Sequence, residues 1–248
     1  MKIAIVTGAS SGLGREFVKE LAAGKKFEEI WVIARRREEM LSLGQRGICL
    51  RVLPLDLTEE ESFTEISGLL EREKPEVGLL INNAGFGHVI SFAEERAEEI
   101  LSMMRLNNEA PLKLIKLCLP HMKRGSAIIN VCSVAGFLPL PKLAVYSASK
   151  SFLLRFSRAL ARELKPGGIT VTALCPYWIR DTEFISRAGG PKSPFGALKA
   201  KDVAKSALSA ARKGDALCIP GFIGKLTYLG GRFLPLSILL SCQKIFRA

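Results

Sequence analysis

The sequence predicts an α/β protein with a mainly parallel sheet, and three observations lead to this fold class. Short β-branched runs alternate with longer segments of helical periodicity along most of the 248 residues, and such alternation implies right-handed βαβ units. Some runs, such as 78–81 and 127–131, are apolar almost throughout, as in strands covered on both faces. A glycine-rich turn after the first run is typical of strand-to-helix junctions that bind dinucleotides.

The elements follow from this alternation. Strands are expected where β-branched and apolar residues cluster, at 2–7, 29–34, 48–54, 77–82, 126–132, 168–175 and 216–219. Helices are expected between them, at 12–23, 37–43, 59–73, 92–104, 108–123, 145–165 and 200–212. Segment 177–198 is rich in Gly and Pro and is expected to be a long functional loop. We therefore predict one catalytic domain over 1–220, including that loop, and an amphipathic tail over 221–248.

Composition excludes several classes of protein. Apolar residues make up 48% of the chain and charged residues 24%, which excludes a largely disordered chain. The richest apolar stretch, 233–242, is too short for a membrane span of about 20 residues, and we expect no secretory signal before the first strand. Six cysteines without a CxxC pair, together with two histidines, argue against zinc and for a reducing cytoplasm.

The charge balance raises the question of an anionic partner. Lys and Arg number 36 against 24 Asp and Glu, a net charge of +12. We expect no nucleic acid as partner, since no recognised nucleic-acid-binding motif is present. A small-molecule substrate and a homodimer or homotetramer are expected instead.

The glycine turn predicts a dinucleotide site. Gly8 permits the tight turn, Gly12 allows the backbone to approach a pyrophosphate, and Gly14 allows the helix to pack on the strand. Ser10, Ser11 and Leu13 complete the turn, and the helix that begins there offers free N–H groups to phosphate.

The end of the second strand favours NADP over NAD. About 20 residues past the glycine turn, an NAD site usually has a carboxylate for the ribose 2′-hydroxyl. Here Ala34 is followed by Arg35 and Arg36, and a guanidinium can bind a 2′-phosphate through two parallel hydrogen bonds.

Four residues form a candidate catalytic group. Tyr146 and Lys150 are spaced i, i+4 on a predicted helix, so both side chains can meet one ligand. A nearby ammonium favours the phenolate. Ser133 ends a predicted strand at the sheet edge where ligands bind. Asn107 belongs to an Asn-Asn pair within a predicted helix, which indicates a kink or a solvent relay.

Taken together, Thr7-Gly8-x-x-x-Gly12-x-Gly14, Asn82-Asn83-Ala84-Gly85, Ser133 and Tyr146-x-x-x-Lys150 resemble the short-chain dehydrogenases/reductases, over residues 1 to about 220. The resemblance implies a Rossmann-type doubly wound sheet of seven strands with helices on both faces, and NAD(P)-dependent oxidation of alcohols or reduction of carbonyls. It implies that Asn107 holds a water of a proton relay and that Asn82 braces neighbouring strands. It also implies further cofactor contacts by Asp56, Leu57, Asn83, Ala84, Gly85, Pro176, Ile179 and Thr182.

The sequence departs from the family after the sixth predicted strand. Tyr177 stands where the family usually has Gly, and Asp181 stands where it usually has Thr, with Thr182 following. This leaves the local backbone near Pro176 open.

The substrate and the tail leave alternatives. The predicted pocket walls are rich in aromatic and apolar residues, which favours a lipophilic substrate such as a steroid or a 3-oxoacyl group, although the aromatics would equally pack the loop onto the domain. These walls comprise Phe86, His88, Leu138, Pro139, Leu140, Tyr177, Trp178, Phe184 and Phe195.

In the tail, Ser237, Ser241, Lys244 and Ala248 share one helical stripe. The tail either covers the cleft or a subunit interface, or lies on an anionic membrane. The alternative to an enzyme is a regulator of the same fold that binds NADP without chemistry.

Overall fold

The computed structural model describes residues 1–44, 49–190 and 195–235. Seven parallel strands form a single sheet in the order β3-β2-β1-β4-β5-β6-β7. The strands are β1 (Lys2–Thr7), β2 (Glu29–Ile33), β3 (Cys49–Leu53), β4 (Glu76–Asn82), β5 (Ala127–Val131), β6 (Thr170–Leu174) and β7 (Leu217–Cys218). The predicted fold class is confirmed, and every neighbouring pair of these strands is parallel.

Helices cover both faces of the sheet. They are α1 (Gly12–Gly24), α2 (Arg37–Leu41), α3 (Glu60–Glu73), α4 (Ala97–Met104), α5 (Ala110–Cys118), α6 (Ala144–Leu164), α7 (Glu183–Ala188), α8 (Ala200–Lys213) and α9 (Phe222–Phe233). Along β1, Ala4 and Val6 face a core shared with α1 and α8, whereas Ile3 and Ile5 face a core shared with α3, α5 and α6. Burial on both faces explains why this strand is apolar without interruption.

The sheet places its ligand-binding crevice beside β1. The strand order reverses at β1, because β2 and β3 lie on one side and β4 to β7 on the other. In open α/β sheets, ligands bind outside the carboxyl ends of the strands at such a reversal. The glycine turn after β1 and the segment after β4 both lie at this edge.

Two predicted helices begin or divide differently from expectation. The helix predicted at 92–104 begins at Ala97, after turns over Phe92–Glu95. The helix predicted at 108–123 is α5 alone, preceded by a π-helical turn at Arg105–Glu109 and followed by a 3₁₀ turn at Leu119–His121. Pro111 explains the first break, because it has no N–H for the carbonyl of Asn107 four residues earlier.

The predicted loop 177–198 contains more regular structure than a plain loop over its described residues. It contains α7, and Ile179 forms a parallel bridge with Leu198. The backbone N–H of Arg180 donates to Leu198 O at 3.0 Å, so the segment closes on itself.

The tail is described as far as residue 235. Helix α9 lies within it, and the predicted stripe from Ser237 to Ala248 lies outside the described residues. None of the helices described here is both long and apolar enough to span a bilayer.

Candidate active site

The turn between β1 and α1 requires glycine at three positions. Gly8 and Gly12 have φ of +66° and +51°, which residues with a Cβ rarely adopt. A Cβ on Gly14 would lie 2.1 Å from the carbonyl oxygen of Gly8. The turn therefore keeps an open, tightly curved backbone at the start of α1.

The N-terminus of α1 is suited to an anion. Ser11 occupies the N-cap without a side-chain hydrogen bond to the helix, and the first turn has no acidic residue. No side chain of the helix thus competes for its first N–H groups. Leu13 is 7% exposed and packs in the core, so its backbone rather than its side chain is left to meet a phosphate.

Arg36 reaches the glycine turn. Its Nη2 donates to Ser10 Oγ at 3.3 Å and to Glu183 Oε2 at 3.2 Å, and its Nη1 lies 3.5 Å from Glu39 Oε1. The guanidinium therefore lies between the turn and α7, at the end where a 2′-phosphate is expected.

Arg35 and Asp56 form a looser pair at the same edge. Arg35 Nη1 lies 3.7 Å from Asp56 Oδ2, and the arginine side chain is 73% exposed. The other carboxylate oxygen of Asp56 accepts from the N–H and hydroxyl of Thr58 at 3.0 and 2.8 Å. Leu57 is buried in the core, so its side chain faces away from the predicted adenine site.

The segment after β4 is tied to the glycine turn. The N–H groups of Asn83 and Ala84 both donate to Thr7 Oγ1 at 2.9 Å, and Asn83 Nδ2 donates to Thr7 O at 2.9 Å. Deeper in the sheet, Asn82 Nδ2 donates to Asn130 Oδ1 at 2.8 Å across β4 and β5. The two strand ends that would border the coenzyme thus form one rigid unit.

Tyr146 and Lys150 converge with Ser133. Both side chains project from α6 and are more than nine-tenths buried. Lys150 Nζ donates to the carbonyl of Val131 at 2.8 Å and lies 5.7 Å from the centre of the Tyr146 ring. Ser133 follows β5, accepts from the N–H of Ala135 at 3.1 Å, and has its hydroxyl near enough to Tyr146 to influence the pKa of the phenol. The structure therefore brings the three predicted catalytic groups together.

Burial dominates the titration of this group. It raises the pKa of Tyr146 well above its ordinary value, and the Ser133 hydroxyl opposes this shift. Burial lowers the pKa of Lys150. Both shifts favour the uncharged form. The prediction that the nearby ammonium favours the phenolate is therefore wrong for this structure, because burial has the larger effect on the phenol. The phenol holds its proton through neutral pH and is equipped to give it up to an oxyanion.

Asn107 lies beside this group within the π-helical turn and is fully buried. Its Oδ1 accepts from the N–H of Phe86 at 3.0 Å, and its Nδ2 donates to Phe86 O at 2.9 Å and Ser149 Oγ at 3.1 Å. A Cβ on Gly85 would lie 2.8 Å from Asn107 Oδ1 and 3.3 Å from Lys150 Nζ. Gly85 thus leaves room between these two polar atoms. Asn107 fixes the backbone of Phe86, next to Gly87, which contacts the Tyr146 ring.

The structure shows where Asp181 and Thr182 lie in the segment after β6, where the sequence departs from the family pattern. Asp181 Oδ1 accepts from the N–H of Ala200 at 2.8 Å and so caps α8. Thr182 is the residue that meets the glycine turn, because a Cβ on Gly12 would lie 3.0 Å from Thr182 Cβ. Pro176 accepts from the N–H of Val134, which ties this segment to the turn after Ser133, and Ile179 pairs with Leu198.

An apolar cluster surrounds Tyr146. Phe184 of α7 lies 5.6 Å from the tyrosine ring and 6.4 Å from Trp178, measured between centroids. Phe86 and Leu140 pack against the same cluster. Phe195, also predicted as a pocket wall, is 90% exposed, so that part of the prediction is wrong for its side chain.

Two residues of the site escaped sequence reasoning. Glu183 pairs with Arg36 although they are 147 positions apart, a contact that no local pattern indicates. Gly87 passes so close to Tyr146 that a Cβ would lie 2.5 Å from ring atom Cδ2, and only its place after Gly85 in a glycine-rich segment could have drawn attention to it.

Known proteins resemble this chain in sequence and structure. The family profile described as "short chain dehydrogenase" matches residues 2–189. A very-long-chain 3-oxoacyl-CoA reductase of Anas platyrhynchos is 35% identical over 191 residues, 71% of this chain and 59% of that protein. The 17-beta-hydroxysteroid dehydrogenase type 3 of Mus musculus is 31% identical over 189 residues, again 71% and 59%. The chain thus spans less than two thirds of these curated relatives.

A solved structure covers nearly the whole chain. The short-chain dehydrogenase from Sphingobium yanoikuyae in complex with NADPH superposes with a TM-score of 0.82 at 28% identity, over 97% of this chain and 96% of that one. Because the family profile matches most of the chain and the sheet order, glycine turn and Ser-Tyr-Lys group agree with it, the chain belongs to the short-chain dehydrogenase/reductase family.

Proposed function

We propose that this protein is an NADP(H)-dependent oxidoreductase that interconverts a ketone and a secondary alcohol on a lipophilic substrate. The observation that carries the proposal is the convergence of Ser133, Tyr146 and Lys150 at the same sheet edge as the glycine turn. A proton donor, an oxyanion partner and a dinucleotide cradle at one edge suit carbonyl reduction.

The residues at this edge fit the coenzyme. The open backbone of Gly8 and Gly12 and the uncapped start of α1 would hold the pyrophosphate. Arg36, with Arg35 beside it, would hold the 2′-phosphate, while Gly85 leaves space between Asn107 and Lys150. Asp56, Ala84, Pro176, Ile179 and Thr182 line the same edge and keep their predicted roles as proposals. When bound, the coenzyme supplies the hydride.

The side chains of this chain handle the oxygen and its proton. Ser133 Oγ and Tyr146 Oη would both donate to the substrate carbonyl oxygen, and Tyr146 would pass its proton to that oxygen as negative charge develops. The Lys150 ammonium, held by the Val131 carbonyl, would stabilise the phenolate left behind. Asn107 holds the Phe86 backbone above the tyrosine and would extend a proton relay past Lys150.

An apolar surface supports a lipophilic substrate. Phe86, Leu140 and Phe184 pack around Tyr146, and such surroundings favour an apolar ligand with a single polar group. The names of the relatives, a 3-oxoacyl-CoA reductase and a 17-beta-hydroxysteroid dehydrogenase, point the same way. A steroid or 3-oxoacyl thioester is therefore the proposed substrate class.

A substrate panel with one tyrosine variant tests the proposal. Ketones, steroids and 3-oxoacyl thioesters are incubated with NADPH, and the loss of NADPH absorbance is followed. Tyr146→Phe should still bind NADPH but lose about 10²–10⁴-fold in kcat. Tyr228→Phe, on helix α9, is the matched control and should keep its rate. Near-normal turnover by Tyr146→Phe would refute the mechanism, and NADPH binding without turnover of any substrate by the native protein would favour the regulator.

Three further expectations stay predictions. They are a cytoplasmic location, assembly as a homodimer or homotetramer, and a lack of nucleic-acid binding. Their support is in the sequence: scattered cysteines for the first and the missing motif for the last.

A further inference from the structure

Helix α9 packs on the domain through its glycine face. A Cβ on Gly224 would lie 3.0 Å from Ile219 and 3.6 Å from Val134, and a Cβ on Gly231 would lie 3.0 Å from Leu138. The Tyr228 ring meets Phe137 edge-on at 5.0 Å between centroids. This face therefore sits on residues 134–138, the segment that directly follows Ser133.

The opposite face of α9 presents an exposed apolar ridge. Phe222, Leu226, Leu229 and Phe233, spaced i, i+4, i+7 and i+11, are 79%, 57%, 49% and 72% exposed, and such spacing aligns them on one side of a helix. We call these four residues the apolar ridge.

The ridge continues past α9. Leu234 follows it at 49% exposure, and Phe195 is 90% exposed. Gly196 lies against α9, since its Cβ would be 2.1 Å from Ile223 Cδ1. Large apolar side chains from two segments thus face solvent in the same region, which is unusual for a protein surface without a partner.

The charged residues of α9 have one sign. Lys225 and Arg232 are both exposed and, by helical spacing, flank the same side of the ridge. Residues 216–248 contain four cations and no Asp or Glu. The cations are Lys225, Arg232, Lys244 and Arg247. An apolar face bordered by cations is the pattern of helices that lie in the interface of an anionic bilayer.

We infer that the apolar ridge docks on an anionic lipid surface, with the ridge in the acyl boundary and Lys225 and Arg232 at the headgroups. A second copy of this chain suits the same face less well, because residues 216–235 offer no carboxylate to pair with the other copy's cations. Docking would hold α9 between the lipid, where a lipophilic substrate would be dissolved, and the segment after Ser133. The binding itself does not rest on the proposed function.

Vesicle flotation of the full chain tests the inference. Vesicles of equal parts phosphatidylcholine and phosphatidylglycerol should carry the native protein upward, whereas pure phosphatidylcholine should carry far less. Phe222→Ser/Leu226→Ser/Phe233→Ser should abolish binding. Lys225→Gln/Arg232→Gln should weaken it roughly 25-fold, since each cation near such a surface contributes about fivefold. Phe92→Ser/Leu101→Ser, which removes equally exposed apolar side chains elsewhere, is the matched control and should float like the native protein.

Fluorescence separates lipid from the other occupants. The emission spectrum of the introduced tryptophan in Leu226→Trp is obtained by subtracting the spectrum of the native protein. It should be that of a water-exposed indole, and its maximum should shift to the blue only with vesicles that contain phosphatidylglycerol. A blue-shifted signal without vesicles that depends on protein concentration would assign the ridge to a second copy. The same signal at all concentrations would assign it to residues 236–248. Either result, or a ridge variant that floats normally, would overturn the inference, whereas loss of NADPH-dependent turnover with lipid binding intact would count only against the proposed function.

Discussion

Arg36 and Glu183 join the glycine turn to the short helix α7, which contacts Tyr146. Their charged groups are 3.2 Å apart, and the ring of Phe184, the residue after Glu183, lies tilted against that of Tyr146 at 5.6 Å between centroids. The guanidinium expected to bind a 2′-phosphate thus pairs with a carboxylate of α7. If Arg36 binds the 2′-phosphate as we propose, this ion pair links the position of α7 to the choice of coenzyme.

Coenzyme preference should depend on the two arginines. Replacing Arg35 and Arg36 with Ala should raise the KM for NADPH about 10–100-fold and leave that for NADH nearly unchanged, because hydrogen bonds to charged groups contribute roughly 1.5–3 kcal/mol. Arg37→Ala, an exposed neighbour at the start of α2, serves as control. Initial rates with both coenzymes measure the effect, and equal changes for NADPH and NADH would disprove the assignment.

Neutralising Glu183 should have the opposite effect on NADPH. In Glu183→Gln, Arg36 loses its ion pair with Glu183 and keeps the one with Glu39, so the KM for NADPH should fall about two- to fivefold, the range of an exposed ion pair. NADH, which has no 2′-phosphate, should respond little, and the gain should shrink with added salt. Glu38→Gln is the control on α2. A weaker affinity for NADPH in Glu183→Gln would show that the carboxylate positions Arg36 instead of competing for it.

The close passage of Gly87 over Tyr146 predicts a catalytic defect from one methyl group. Gly87→Ala should lower kcat about 100-fold, the cost of displacing a reacting group by roughly 1 Å, with coenzyme affinity retained. Gly68→Ala is the contrasting control, because nothing lies within 4 Å of its Cβ. It should stabilise α3 by about 0.5–1 kcal/mol in urea unfolding. Unchanged turnover in Gly87→Ala would mean that the loop moves away freely.

The raised pKa of Tyr146 predicts the pH dependence of each direction. Reduction needs the protonated phenol, so kcat for reduction should stay level through neutral pH and fall only on the alkaline side. Oxidation needs the phenolate, so kcat for oxidation should rise with pH over the same range.

The folded protein holds the Tyr146 proton more tightly than the unfolded chain, whose tyrosine titrates near 10. Tyr146 therefore contributes stability below about pH 10 that is lost as pH rises further. Rates of reduction and oxidation by the native protein, measured against pH, test the first effect. Urea unfolding midpoints of the native protein and Tyr146→Phe, measured against pH, test the effect on stability. An equally large alkaline loss of stability in Tyr146→Phe would contradict the effect on stability.

Much of the sheet could be read from local patterns. The apolar runs of β1, β4 and β5 place Ile and Val on both faces, and burial on both sides of the sheet demands that composition. The glycines of the first turn could be predicted because curvature and close approach exclude a Cβ, whatever the rest of the chain does. Tyr146 and Lys150 could be paired because their spacing on a helix brings them together.

The sequence indicated only part of where helices and loops are interrupted. The Asn107–Asn108 pair indicated a kink, and Pro111 supplies its cause, but a π-helical turn depends on how the freed carbonyl finds a partner in the packed structure. Segment 177–198 has loop composition, and composition does not encode the bridge of Ile179 with Leu198 or the contact of Thr182 with Gly12.

The sequence by itself determined the fold class, the glycine turn and the Tyr146–Lys150 spacing, since each depends on interactions over a few residues or on strand-like periodicity. Only the tertiary structure decided that Arg36 meets Glu183, that Asp181 caps α8, and that α9 turns an apolar ridge outward. These are contacts between, or exposures of, segments far apart in the chain, and they arise when packing of the whole domain brings those segments to one edge of the sheet.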